Sequence, residues 1–236
     1  MTYSKVIVAV RDGGLTRDGA DGLVTRCAAA GAVRVQLNIA DDRVSGAMRI
    51  DELDPPIDAV VTYWAEDVDA VLPAVIQSVE GRPAAWEVTA RAPLDPELPA
   101  DGTRIDALSN IAFLRRPVEL DRDEWLRRWL EDHTQVAIDT QATFGYVQNT
   151  VERPLTDDAP PVDAIVEELF PMAAVTDIHA FYGSNGDQAE LERRMTRMLT
   201  SVARFGADRH LDVVPTSRYD FDLLRFDLSA GVASDG

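Results

Sequence analysis

One cysteine and one lysine are all that a chain of 236 residues contains of either type. The lone Cys27 excludes an internal disulfide and any cysteine-cluster metal site, and it fits a reducing compartment. With Lys5 as the only lysine, arginine carries nearly all the positive charge, and 23 basic against 41 acidic residues leave a formal net charge of −18. No basic patch is implied, so neither nucleic acid nor an anionic membrane is expected as a partner. A surface adapted to high salt and a bias in base composition both produce such a pattern. No apolar run approaches the ~18 residues of a membrane span. The start, "MTYSKVIVAV", lacks the charged opening, apolar core and cleavage pattern of a signal peptide. A cytoplasmic protein is expected. Three histidines, His133, His179 and His210, show no paired spacing and give no metal-ligand pattern. The glycines of "DGGLTRDGADG" lack a phosphate-loop lysine or dinucleotide spacing, and "YGSNG" lacks the Gly-x-Ser-x-Gly elbow.

What is present is a 46% apolar chain with a regular order of elements. "KVIVAVR" (5–11), "VRVQLNI" (33–39), "DAVVTYW" (58–64) and "AAWEVTAR" (84–91) read as strands, with helices over 16–31 and 66–79 between them. The proline-rich "APLDPELPADGTR" (92–104) reads as a linker. Beyond it the order recurs: strand 107–117, helix 121–140, strands 144–152 and 163–170, helix 187–206, and strand 210–216. Asp121 with Glu124, and Asp187 with Glu190, have capping-box spacing. Leu191, Met195, Met198, Val202 and Phe205 fall on one face of the last helix.

Two β-α-β-β-α-β units therefore follow one another, a repeat of the ferredoxin-like kind. The predicted organisation is a first, degenerate repeat over 1–91, a linker over 92–104, a second repeat over 105–221 and a tail over 222–236. Each antiparallel sheet has helices on one face and leaves the other bare, and the two bare faces can bury one another. The expected fold is α+β, a pseudo-dimeric α/β barrel with helices outside. Fusion replaces the homodimer that a single unit would need. A monomer is expected, or a homodimer through other surfaces.

The second unit resembles the EthD family of the dimeric α/β-barrel superfamily. The resemblance is carried by "FLRRPVELDRDEWLRRWLEDH", "GYVQN", "DAIVEELF" and "RFGADRHLDVVPTSRYDF", from about Phe113 to Phe221. The first unit follows the pattern only in outline. Cys27 and Ala28 stand near the place of His133, and Thr62 occupies the slot of Glu167. The resemblance implies a protein of degradative or secondary metabolism. The superfamily includes cofactor-free cyclases, dehydratases, isomerases and monooxygenases and, separately, haem-handling proteins, so fold alone does not set the chemistry.

His133 lies four residues after Trp129 and eight after Trp125, which puts the three on one helix face toward the sheet. On the following strand Tyr146 shares a face with Phe144, Gln148 and Thr150, and Asn149 lies on the other; either face can point into the barrel. Glu167 and Glu168 likewise face opposite ways. The resemblance favours Glu167 as the inward one, with a raised pKa or a partner such as Arg115. One reading is an enzyme without cofactor that moves a proton on a small, mostly apolar oxygenated metabolite, an aromatic or polyketide-like ketone or lactone. His133 is then the acid or base, Tyr146 polarises the carbonyl, and Glu167 orients one of them. Trp129, Phe113, Asn149 and Trp64 are the candidate substrate contacts. The alternative is a binding or accessory protein for a hydrophobic small molecule. A buried structural histidine and a core tyrosine remain open at this point.

Overall fold

The structure, a computed structural model, describes residues 2–15 and 17–225. Thr16 and the part of the expected tail from 226 onward lie outside the described residues. The first repeat comprises β1 (Ser4–Gly14), α1 (Arg17–Ala29), β2 (Ala32–Ile39), β3 (Ile57–Ala65), α2 (Val68–Ile76) and β4 (Glu80–Leu94). The second begins, after a short β5 (Asp101–Arg104), with β6 (Leu108–Leu114). Its first helix is built from α3 (Arg122–Arg127), a π-helical turn over Arg128–His133, and α4 (Thr134–Thr140). Then come β7 (Gly145–Pro154), β8 (Ala164–Phe170), α5 (Ile178–Tyr182), α6 (Gln188–Ala203) and β9 (Leu211–Asp222).

Strand order is β2-β3-β1-β4-β7-β8-β6-β9, and a further β2–β9 pairing closes the sheet on itself, with β5 also on the edge of β9. Each repeat contributes four consecutive strands in the ferredoxin-like order. The fourth strand of each reaches past its own sheet. β4 pairs with β1 through Lys5↔Val88 and with β7 through Val88↔Val151. β9 pairs with β6 over Leu211–Thr216 and with β2 over Ser217–Asp222. Both strands thus outrun the expected 84–91 and 210–216: β4 gains Glu80–Pro83 against β1 of its own repeat and a far end beside β7, and β9 gains Ser217–Asp222 against β2. The expected linker is shorter for the same reason: β4 continues to Leu94, and Asp101–Arg104 adds a strand to β9.

Closure makes two kinds of sheet face. Inside the barrel Ile7, Val60, Trp86, Phe113, Ile165 and Val214 form an apolar cluster drawn from both repeats. Above it the interior turns polar. The Lys5 ammonium pairs with the Glu167 carboxylate across the repeats, and Asn149 and Gln36 complete the carboxylate's hydrogen bonds at 2.9 and 2.6 Å. Lys5 also donates to Asn149 over 2.9 Å. Outside, each helical layer packs its own core: α1 and α2 place Leu23, Val24, Cys27, Val71 and Val75 on β1–β3. In the second repeat Trp125, Trp129 and Phe205 do so with Leu114 and Val166.

Asp121 caps α3 by accepting from Asp123 N at 2.9 Å, and Asp187 caps α6 by accepting from Glu190 N at 3.1 Å. The reciprocal half of each expected capping box is absent. Glu124 turns instead to Arg127 and Arg128, and Glu190 to Arg193 and Arg194. Guanidinium groups three and four residues ahead offer those carboxylates charged donors. After α6 the chain turns at Gly206, whose φ of +79° a Cβ would disfavour and whose α-carbon lies against Pro117.

Replacing Lys5 by Met strands the Glu167 carboxylate inside the barrel. Lys5→Met is expected to lower the unfolding free energy in urea titrations by about 3–5 kcal/mol. The double variant Lys5→Met/Glu167→Leu should recover most of that loss; a double variant no more stable than the single one contradicts this account of the pair.

Candidate functional site

Side chains alternate along β8, so Glu167 and Glu168 enter different environments. Glu167 lies in the barrel. Burial alone would push its carboxyl up, but Lys5, with Arg218 and its hydrogen bonds to Lys5 and Gln36, holds it down at about 2. Arg115, an expected partner, instead binds Asp212 at 2.7 Å. Glu168 faces the helices. It is centred in a cross-strand row, opposite Asn110 on β6 and Tyr146 on β7. Neighbours in such a row stand about 5 Å apart at Cβ.

The equivalent row of the first repeat is Val6, Tyr63 and Val35. All three are fully buried, and the Tyr63 ring fills the layer while its hydroxyl donates to Val68 O at 2.8 Å. Cys27, near the place of His133, packs in the same cluster, and burial raises its thiol to about 12. One layer is therefore a solid hydrocarbon core. The other carries Asn110, Glu168 and Tyr146 at matching positions and encloses a cavity of about 190 Å³.

Helix α3, the π-turn and α4 form one wall of that cavity through Trp129 and His133. The wider π-turn keeps both buried against the sheet, and its end is tied by Thr134 Oγ1 donating to Leu130 O at 2.8 Å. Asp132 anchors its outer side through Arg127 and Arg204. Helix α6 supplies Met198 and Val202, α5 Phe181 and Tyr182, and the turn after α4 Gln141. The exposed apolar side chains Met48, Ile50 and Leu199 also line it and mark the open side.

The polar groups have distinct states. Burial raises the Glu168 carboxyl to about 7, and no counter-charge or hydrogen bond offsets this. Burial lowers the His133 imidazole to about 4, so it is neutral at pH 7. Its Nδ1 lies 2.9 Å from Ser201 Oγ and its ring packs on Phe205 with centroids 4.9 Å apart. Burial, then the Glu168 charge, pushes the Tyr146 phenol upward, so it keeps its proton. Gln148 Nε2 donates to the Tyr146 hydroxyl at 3.2 Å. A phenol oxygen that accepts from an amide still has its own proton to give. Asn110 Oδ1 and Gln141 Oε1 are buried without a partner.

Of the residues expected from sequence, the structure brings His133, Tyr146 and Trp129 to one cavity. Glu167 and Asn149 lie across the sheet from them, inside the barrel. Phe113 is also inside, against Trp86 at 5.9 Å. Trp64 stands toward one end of the barrel, with the Lys5 and Arg34 cations 5.1 and 4.6 Å from its ring. Sequence reasoning missed Asn110 and Gln141. It named Glu168 only as the alternative to Glu167. Among the described residues no three histidine, cysteine or carboxylate side chains group as a metal site, and no helix is long and apolar enough to cross a membrane. The cavity is little larger than the ~150 Å³ that accepts one benzene ring, so the residues present do not fit a haem.

The EthD domain family profile matches residues 118–196, which include the π-turn, β7 and β8. No curated protein matches the chain. Among solved structures, an anthrone oxidase-like protein superposes with a TM-score of 0.55 at 9% identity, over 92% of this chain and 90% of that one. A chlorite dismutase variant from Candidatus Nitrospira defluvii, solved with cyanide, gives 0.46 at 10% identity, over 91% and 90%. At such identity the likeness is one of fold, and the fold is the α/β barrel of ferredoxin-like units.

A carboxyl raised to about 7 makes stability depend on pH in a defined direction. Between the ordinary carboxylate range and pH 7 the folded chain holds a proton that the unfolded chain has lost, so the stability contributed by Glu168 is complete at low pH and falls away as pH rises through about 7. Chemical denaturation at pH 5 and pH 8 should show wild type losing about 2 kcal/mol relative to Glu168→Gln over that interval. Parallel pH profiles for the two proteins would contradict the raised, unpartnered carboxyl of Glu168.

Proposed function

We propose that the chain is a fused EthD-type barrel whose second repeat binds a small, mostly apolar oxygenated molecule and moves a proton on it. One observation carries the reading: the row Tyr146–Glu168–Asn110 is polar and faces a cavity where the matching row Val35–Tyr63–Val6 is apolar and packed. A fold that needed only a core at this place has one in its first half. The polar version costs stability, and such a cost is expected where a ligand is handled.

The chemistry follows from the states of the groups. A carboxyl poised near pH 7 is a suitable base for a proton on carbon beside a carbonyl. Glu168 takes that proton, the C–H electron pair moves into the carbon–carbon bond, and the carbonyl oxygen becomes an enolate oxygen. Tyr146 donates its remaining hydrogen bond to that oxygen. Return of the same proton to another carbon completes an isomerisation with no other reactant. His133, neutral and held by Ser201, forms the wall beside them. In this reading the acid–base role expected of His133 falls to Glu168 and His133 becomes support, while Glu167, expected to orient His133 or Tyr146, lies inside the barrel. A fold relative named anthrone oxidase-like agrees with small-molecule processing in this architecture.

The test uses a panel of one- and two-ring ketones in deuterated buffer, with exchange at the carbon beside the carbonyl followed by NMR. The expected result is exchange that rises as pH passes about 7 and falls by about 10²–10⁴ in Glu168→Gln. Exchange that survives this substitution removes Glu168 as the base. Binding of panel members in the cavity with no exchange at all favours the accessory-protein reading.

A further inference from the structure

We infer that the cavity selects ligands bearing a hydroxyl group on a ring, and that Asn110 and Gln141 are the residues that make the selection. The inference rests on the cavity being the ligand site and adds the ligand's class. Both residues line the cavity, from opposite layers: Asn110 from the sheet and Gln141 from the end of α4. Both are buried, at 5% and 8% exposure, and the carbonyl oxygen of each is enclosed with no hydrogen-bond partner. A buried amide left unsatisfied costs about 1–3 kcal/mol, so two of them lining one apolar space imply a ligand that supplies the missing bonds.

The hydroxyl is the group that suits them. A primary amide presents its NH2 or, turned over, its oxygen, and a hydroxyl both donates and accepts. A hydrocarbon satisfies neither orientation, and a ketone oxygen only accepts. In the first repeat the position matching Asn110 is Val6, fully buried in a closed core, so the amide is not required by the fold. The size of the space sets the rest. About 190 Å³ exceeds the ~150 Å³ that takes benzene by little, which limits the ligand to one ring with substituents or two small fused rings. Trp129 and Phe205 supply aromatic walls.

The experiment compares p-cresol with p-xylene, which differ in a hydroxyl against a methyl group, by ligand-observed NMR titration. Wild type is expected to bind p-cresol about tenfold more tightly. The double variant Asn110→Leu/Gln141→Met is expected to lose that preference while still binding p-xylene. Equal or tighter binding of p-xylene by wild type overturns the inference and leaves the cavity as a ligand site. A preference kept by the double variant overturns the assignment to these two residues. If wild type binds neither probe, the cavity reading fails, and the inference fails with it.

Discussion

The Lys5–Glu167 pair is the contact on which the geometry of the second repeat turns. It joins the first strand of one repeat to the third strand of the other inside the barrel, where both side chains are buried. A one-residue slip of β8 that brought Val166 opposite the ammonium would leave the Lys5 charge buried alone, at a cost several times that of losing an ordinary hydrogen bond. Register is therefore fixed from within the barrel. With Glu167 committed inward, Glu168 has no choice but the helical side, and Tyr146 and Asn110 stand beside it because they occupy paired positions on adjacent strands. The chain's single lysine thus sets the position of a carboxylate that it never touches.

The two helical layers are a comparison that the molecule makes with itself. Both rest on the same sheet geometry, and both have two helices on the outer face. In one, Tyr63 reaches across the layer and closes it; in the other, the shorter Glu168 leaves room. The difference cannot be ascribed to folding needs, since the first half meets them with hydrocarbon. Violations of the packing rules gathered in one place are what the proposed site would require. Two units of one topology in a single chain permit this asymmetry, because each layer is packed by its own helices.

Much of this was legible in the residues. The alternating elements, the repeat and the barrel followed from periodicity and turn chemistry, and the helical spacing of Trp125, Trp129 and His133 placed the histidine on the sheet side. What could not be read was which face of a strand looks at which layer. Alternation separates Glu167 from Glu168 and Tyr146 from Asn149, but a barrel strand buried on both faces shows no polar side to orient it. The partner of Glu167 was hidden for a related reason: Lys5 lies 162 residues away. Asn110, within "ALSNIAFLRRP", reads as one polar residue in a strand until its cross-strand neighbours are known. The far half of β9 was missed because Pro215 and Thr216 read as a strand end, although "SRYDF" beyond them alternates Arg218 and Asp220, paired with one another in the barrel, with Tyr219 and Phe221 in the outer core.

The shared strands β4 and β9 bear on how the chain comes to be folded. Each completes its own sheet with one half of its length and the other sheet with the rest, so neither repeat has a finished edge without its counterpart. During synthesis the first repeat emerges with β2 unpaired on one side, and that edge waits for residues 217 to 222, almost the last of the described chain. Contacts so distant in sequence carry a large loop-closure cost and slow the final step. An exposed strand edge over that interval is also a template for other chains. The dense negative charge that first distinguished the sequence then acts before there is a native surface to solvate, by keeping half-made barrels apart.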